Sequence, residues 1–155
     1  MRHPYYQSIL LIERLHRHFL EVVKAELDRQ GMQDVNNIQA LILYNIGQDE
    51  LTVGELTARG YYLGSNVSYN VRKMVENGYL AQERSQHDRR SIRLRVTAKG
   101  LTLCEKVGDM LQRHVEALAG VEMTPEKLQD INDNLVRLEQ FWAARIAYQL
   151  GGGHS

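Results

Sequence analysis

Between residues 65 and 95 the sequence SNVSYNVRKMVENGYLAQERSQHDRRSIRLR gathers side chains suited to holding a polyanion. Ser65, Asn66, Ser68, Tyr69 and Asn70 carry donors and acceptors that fit base edges, sugars or phosphates, and Arg72 and Lys73 carry cations for phosphate oxygens. Tyr69 adds an aromatic surface for a thymine methyl or a sugar. Further along, His87, Asp88, Arg89 and Arg90 stand together. With Asp88 two residues before it, the Arg90 guanidinium can be held extended, a pose that suits the narrow, electronegative minor groove of an A/T-rich duplex. His87 and Arg89 add charge beside it.

The charge distribution agrees. The 155-residue chain is formally neutral, but residues 65–100 hold eight Lys and Arg against three Asp and Glu, whereas residues 1–64 hold six against eight and residues 101–155 five against eight. Local field, more than net charge, decides where a phosphate backbone docks. Nucleic acid is therefore the leading partner, and the groove contacts suggested for Arg90 make it double-stranded DNA.

The elements that must position these groups follow from periodicity. Ile9, Ile12, Leu15, Phe19, Val22, Val23 and Leu27 recur at helical spacing over residues 6–30, with Gly31 as the stop. Such a helix spans about 37 Å at 1.5 Å per residue, more than a small domain needs for its own core, so part of it is expected to pack on another subunit. A second helix is expected over residues 35–46, and Thr52 with Glu55 three residues on forms the signature of a capping box for a short helix ending near residue 59. Gly60 and Gly64 then mark a tight connection to a helix over residues 66–77. That helix has Val67, Val71, Met74 and Val75 on one side and Asn66, Tyr69, Asn70 and Lys73 on the other. Ile92, Leu94 and Val96 alternate with Arg93 and Arg95, which predicts the second strand of a hairpin whose tip is residues 85–90. Thr97 can cap a long helix over residues 98–119, and Thr124 followed by Pro125 opens a last one. In that last helix Leu128, Ile131, Leu135, Leu138 and Trp142 repeat as a short coiled-coil-like seam, and GGGHS is expected to form a flexible tail.

Several function classes are disfavoured. A lone Cys104 forms no internal disulfide and offers no cysteine-based zinc site; on a mainly apolar helix it reads as core filler rather than a redox sensor. His16 and His18 are two apart and project from different sides of a helix, poor geometry for a shared metal, so no metal or other cofactor is expected. No phosphate loop, nucleophile elbow or paired His and carboxylate motif is visible, and a basic turn is a poor place to perturb a pKa, so no enzyme is expected. No apolar run approaches the roughly 18 residues of a membrane span, which points to a cytoplasmic protein without a membrane partner.

A short helix, a tight turn, a second helix with polar outward residues and a basic hairpin, in that order, form the pattern of a winged helix-turn-helix. The stretch from Leu56 to Gly100, with VSYNVRKMVENGYL, the Asp88-Arg89-Arg90 wing and the closing VTAKG, resembles the MarR family core without an insertion. The GYYLGSNVSYN segment departs from the usual family pattern and is similar to an α-proteobacterial branch that includes LdtR and PetP. The resemblance implies a mainly α fold with a small β-hairpin wing in a dimeric architecture. The lobes expected are a helical dimerisation lobe of residues 1–34 and 98–150, a winged helix-turn-helix lobe of residues 35–97, and a tail of residues 151–155. It further implies a homodimeric repressor or dual regulator on pseudo-palindromic operators, modulated by a small-molecule effector. Phe19, Tyr44, Tyr61 and Tyr62 are the candidate lining of a pocket for an aromatic or phenolic effector, with ordinary core packing the competing reading for each. The alternative at the level of function is a helical interaction module whose winged domain binds a protein.

Overall fold

The computed structural model describes residues 1–59, 64–84 and 92–152, the side chains of residues 64, 65 and 150–152 excepted. Its elements are α1 (Pro4–Arg29), α2 (Asn37–Ile46), β1 (Leu51–Thr52), α3 (Val53–Ala58), α4 (Gly64–Glu76), β2 (Leu80–Arg84), β3 (Ile92–Val96), α5 (Ala98–Leu118), a 3-10 turn (Ala119–Val121) and α6 (Pro125–Gly152). They fall into two compact units, Met1–Leu111 and Gln112–Ser155, with the boundary inside α5. Among the described residues no helix is long and apolar enough to cross a membrane.

The helices of the first unit begin where side chains can take up free N–H groups. The Asn36 side chain accepts from the Gln39 N–H at 2.8 Å while Gln39 Oε1 accepts from the Asn36 N–H at 3.1 Å, a complete capping box that starts α2. Thr52 Oγ1 accepts from the Glu55 N–H at 3.0 Å and starts α3, and Thr97 Oγ1 accepts from the Gly100 N–H at 3.2 Å at the head of α5. The core these helices share comprises Val23 and Leu27 of α1, Ile42, Leu43 and Ile46 of α2, Leu56 of α3, Val67, Val71 and Met74 of α4, and Leu103, Val107 and Met110 of α5.

β3 is the centre of a three-stranded antiparallel sheet of order β1-β3-β2. A two-stranded hairpin was the expectation; the added strand is only two residues long, too short for any alternation to reveal, and it pairs Leu51 with Leu94 and Thr52 with Arg93. Across the hairpin, Leu80 opposes Val96 and both are buried, Leu94 is buried opposite an exposed Gln82, and Ala81 opposes Arg95 and Glu83 opposes Arg93 on the outer face.

α1 uses little of its apolar surface inside this unit. Only Val23, Glu26 and Leu27 are buried, and Leu10, Leu11, Leu15, Phe19 and Val22 remain exposed. The Glu26 carboxylate accepts from Arg29 Nη2 at 2.7 Å and Nε at 2.9 Å, which pairs a charge that is 9% exposed.

In the second unit, Glu122 adopts the left-handed conformation (φ 59°) after the 3-10 turn, and Thr124 Oγ1 accepts from the Lys127 N–H at 3.2 Å to begin α6. Leu128, Leu138 and Trp142 of the expected seam are half-buried, whereas Ile131 and Leu135 are each 44% exposed, alongside exposed Val136, Phe141 and Ile146. The helix continues through Gly152, so the first two glycines of the expected tail are helical; residues 153–155 lie outside the described residues. Glycine costs about 1 kcal/mol in a helix interior, too little to stop a helix of 28 residues by itself.

Candidate nucleic-acid interface

α4 rests on an aliphatic stripe. Val67, Val71 and Met74 are at most 3% exposed, a spacing of four and three that returns one face of a helix to the core. The opposite face carries exposed Asn66, Ser68, Tyr69 and Arg72 and half-buried Lys73. The Arg72 guanidinium sits 5.7 Å from the centroid of the Tyr69 ring, so the two form one flat cationic and aromatic surface. Lys73 Nζ lies 3.5 Å from a Glu76 carboxylate oxygen, a solvent-exposed pair that water and salt screen.

Asn70 departs from the expectation that it shares this exposed face. It is 7% exposed, and its Oδ1 accepts from Gln39 Nε2 of α2 at 3.1 Å. Position 70 lies three residues after Val67 and four before Met74, inside the buried stripe; a polar type suggests an outward side chain, and its helical phase turns it inward.

The C-terminal end of α4 is locked by a polar cluster. Gly78 takes φ +82°, a conformation other residues rarely adopt, and the Tyr79 N–H then reaches back to Met74 O at 2.8 Å. Tyr79 donates its hydroxyl to Asp34 Oδ1 at 2.6 Å, Lys99 Nζ donates to Asp34 Oδ2 at 2.8 Å, and Asn77 Nδ2 donates to the Asp34 carbonyl at 2.9 Å. The hydrogen bonds from Lys99 and Tyr79 hold the Asp34 carboxyl below the ordinary carboxylate range, and burial together with Asp34 pushes the Tyr79 phenol up. Neither Asp34, Tyr79 nor Lys99 is visible as a functional group in the sequence, since 45 and 65 residues separate the partners. Gln39 carries a signal that was available: it stands three residues after Asn36, the spacing of a capping box.

At the base of the hairpin Arg93 and Arg95 project from the outer face of the sheet, and Arg95 Nη2 lies 3.3 Å from Glu83 Oε1. His87, Asp88, Arg89 and Arg90 lie outside the described residues, as do Tyr61 and Tyr62, and Ser65 is described only as part of the α4 backbone. Of the candidate effector pocket, Tyr44 borders a cavity of about 260 Å³ together with Gly47, Gln48, Leu101, Cys104 and Glu105. Phe19 is not among its lining residues and is 37% exposed on α1. Burial raises the pKa of the half-buried Cys104 thiol, so the thiolate needed for redox sensing is disfavoured.

Residues 33–91, which include α2, α3, α4 and β2, match the profile of the MarR family. A relative, the exopolysaccharide II synthesis transcriptional activator ExpG of Rhizobium meliloti (strain 1021), is 35% identical over 144 residues, covering 93% of this chain and 74% of the relative. The chain belongs to the MarR family. Solved structures agree on the MarR fold. Streptococcus pneumoniae FabT, in complex with DNA, superposes with a TM-score of 0.73 at 19% identity over 90% of this chain and 98% of FabT. AbsC, a MarR family transcriptional regulator from Streptomyces coelicolor, gives 0.73 at 18% identity, covering 93% of this chain and 97% of AbsC. Membership in the MarR family places the chain among transcriptional regulators and not among enzymes.

Proposed function

We propose that this MarR-family chain is a sequence-specific double-stranded DNA-binding transcription regulator that works as a homodimer. The observation that carries the reading is the outer face of α4. Asn66, Ser68, Tyr69 and Arg72 stand in solvent, with half-buried Lys73 beside them, on a helix whose opposite face is fixed to the core, as base and phosphate contacts from a major-groove helix require. Ser65 at the start of the helix joins that contact set. In the basic segment that follows, Arg90 would enter the minor groove, held extended by Asp88, with His87 and Arg89 adding charge. FabT crystallised with DNA, and ExpG, named a transcriptional activator, are in keeping with this.

The dimer would use residues 1–34 and 98–150, with residues 35–97 as the DNA-binding lobe. The apolar side chains exposed on α1 and α6 are surface that a second copy would cover. Two copies related by a two-fold axis would read a pseudo-palindromic operator with half-sites about one helical turn apart. Occupancy would repress, or both repress and activate, according to where the operator lies. The cavity beside Tyr44 is the candidate site for a small aromatic or phenolic effector, and Tyr61 and Tyr62, which lie outside the described residues, remain candidates for it by residue type. A cytoplasmic location follows from this role.

The experiment is binding of the purified protein to duplexes selected from a random pool, titrated against salt and against scrambled DNA of equal length. Two protomers per site and a preference of roughly 10³ or more are expected. Weak binding without preference would redirect the winged lobe to a protein partner.

A further inference from the structure

An amide stands in the aliphatic stripe of α4. Residues 67, 70, 71 and 74 form the face that meets the core, and three of them are Val67, Val71 and Met74. The fourth is Asn70, 7% exposed, and a buried amide is unfavourable unless it is hydrogen-bonded. Its partner, Gln39 on α2, is 6% exposed. Among the described residues no buried side-chain nitrogen or oxygen lacks a partner.

The chain of bonds has a fixed direction. Gln39 Oε1 is taken by the Asn36 N–H at 3.1 Å, so only Nε2 of the Gln39 amide can face α4. It donates to Asn70 Oδ1 at 3.1 Å. An aliphatic pair at these positions would tolerate rotation or a small slide of one helix on the other, because dispersion contacts have no direction. An amide pair whose one end is committed to a helix cap does not, and a single buried Asn is known to set register between helices for this reason. The pair also borders the outer face. Asn36, Gln39, Tyr69, Lys73 and Asn77 line one polar hollow of about 260 Å³, so a rotation of α4 that broke the bond would move Tyr69 and Lys73 with it.

We infer that the hydrogen bond from Gln39 to Asn70 is a positioning contact that fixes the rotation of α4 about its own axis against α2, and with it which side chains meet the bases. Asn70 is thus a positioning residue and not a base contact. The inference rests on the DNA-binding reading above.

The test compares Gln39→Met, Asn70→Leu and Gln39→Glu in the full chain, using the duplex that the unaltered protein selects from a random pool and a scrambled duplex of equal length. Melting temperature is measured in parallel. Gln39→Met removes the donor, together with the oxygen that caps α2, and leaves the sequence of α4 unaltered; loss of the cap is read in the melting temperature and loss of the bond to Asn70 in the affinity ratio. Gln39→Glu keeps the oxygen that caps α2 and presents a second oxygen, to which Asn70 can donate by turning its amide over. For Gln39→Met and Asn70→Leu the ratio of selected to scrambled affinity is expected to fall by about tenfold or more, with scrambled affinity within about threefold of the original; for Gln39→Glu the ratio is expected to stay within about threefold. A lowered melting temperature with an unchanged ratio, in either folded variant that lacks the bond, overturns the inference. Should Asn70→Leu fail to fold, Gln39→Met decides alone. Selection of no sequence by the unaltered protein overturns the DNA-binding reading itself, an outcome separable from variants that keep the full ratio.

Discussion

Tyr79 and Asp34 are joined by a hydrogen bond of 2.6 Å, phenol to carboxylate, across 45 residues of sequence. The same carboxylate accepts from Lys99 Nζ at 2.8 Å, and Lys99 also donates to the Asn77 carbonyl at 2.8 Å. The α1–α2 connection, the turn that ends α4 and the first turn of α5 thereby meet at one aspartate. The end of α4 is tied to α5 by bonds with direction as well as by packing.

Asp34→Asn should lower the melting temperature by a few degrees near neutral pH, in keeping with an exposed ion pair worth up to about 1 kcal/mol. The sign of the pH dependence follows from the depressed pKa. The contribution is present above the unfolded value of 3.8 and is lost as pH falls through the lower folded value. Melting curves of the two proteins should therefore converge in acid below that value. A constant gap across the range would show that Asp34 acts through packing alone.

Tyr79→Phe should cost about 1.5 kcal/mol, the order expected for a bond to a charged acceptor. The phenol pKa is raised, so its share of stability is present below the ordinary tyrosine value and is lost as pH rises through the folded one. In a near-ultraviolet alkaline titration, one of the eight tyrosines should ionise after the others and together with unfolding. The Phe variant should lack that late step.

Gly100→Ala should destabilise by about 2–3 kcal/mol despite the better helix propensity of alanine, worth about 1 kcal/mol. A Cβ at position 100 would overlap the Tyr79 carbonyl and Val96 Cγ1, neither of which is the free end of a flexible side chain. Gly120 is the control, because a Cβ there meets nothing within 4 Å. Denaturant midpoints of the two variants should separate clearly; equal midpoints would show that the head of α5 yields at little cost.

Much of this architecture is legible in the sequence because its signals are local. Thr52, Thr97 and the Thr124-Pro125 pair announce helix starts from side-chain chemistry alone, and the alternation of Ile92, Leu94 and Val96 with two arginines announces β3. What escapes is non-local or too short. Asp34 gains its meaning only from Tyr79 and Lys99, β1 is two residues long, and Asn70 is polar by type yet inward by phase. Of the candidate interface, the outer residues of α4 are placed as the helical pattern predicts, apart from Asn70.

Thr52→Ala should cost about 1 kcal/mol through loss of the α3 cap, and Thr52→Ser should recover most of it. Thermal melts resolve the two. If Ala and Ser melt together, the β1 pairing to Arg93 matters at this position and the cap does not.

Leu15→Glu places a charge in the exposed apolar stretch of α1, where Leu15 is 62% exposed. If that stretch is covered by a second copy, sedimentation of the variant should give the mass of one chain where the original gives two, with the circular dichroism unchanged. A two-chain mass for the variant would move the interface away from this face.

The narrow strand β1 has a colloidal consequence. β3 is the strand whose Leu94 and Val96 are fully or nearly fully buried; β2 pairs with it along its whole length, and β1 pairs with it on the other side at Arg93 and Leu94. The edge that β2 leaves open runs into Gln82, Glu83 and Arg84, all exposed. A strand added on that side would meet a charged end, and one added on the other side would meet only the two residues of β1; short and charged edges both disfavour growth into fibres. Two residues of backbone thus cover the middle of the most buried strand of the sheet.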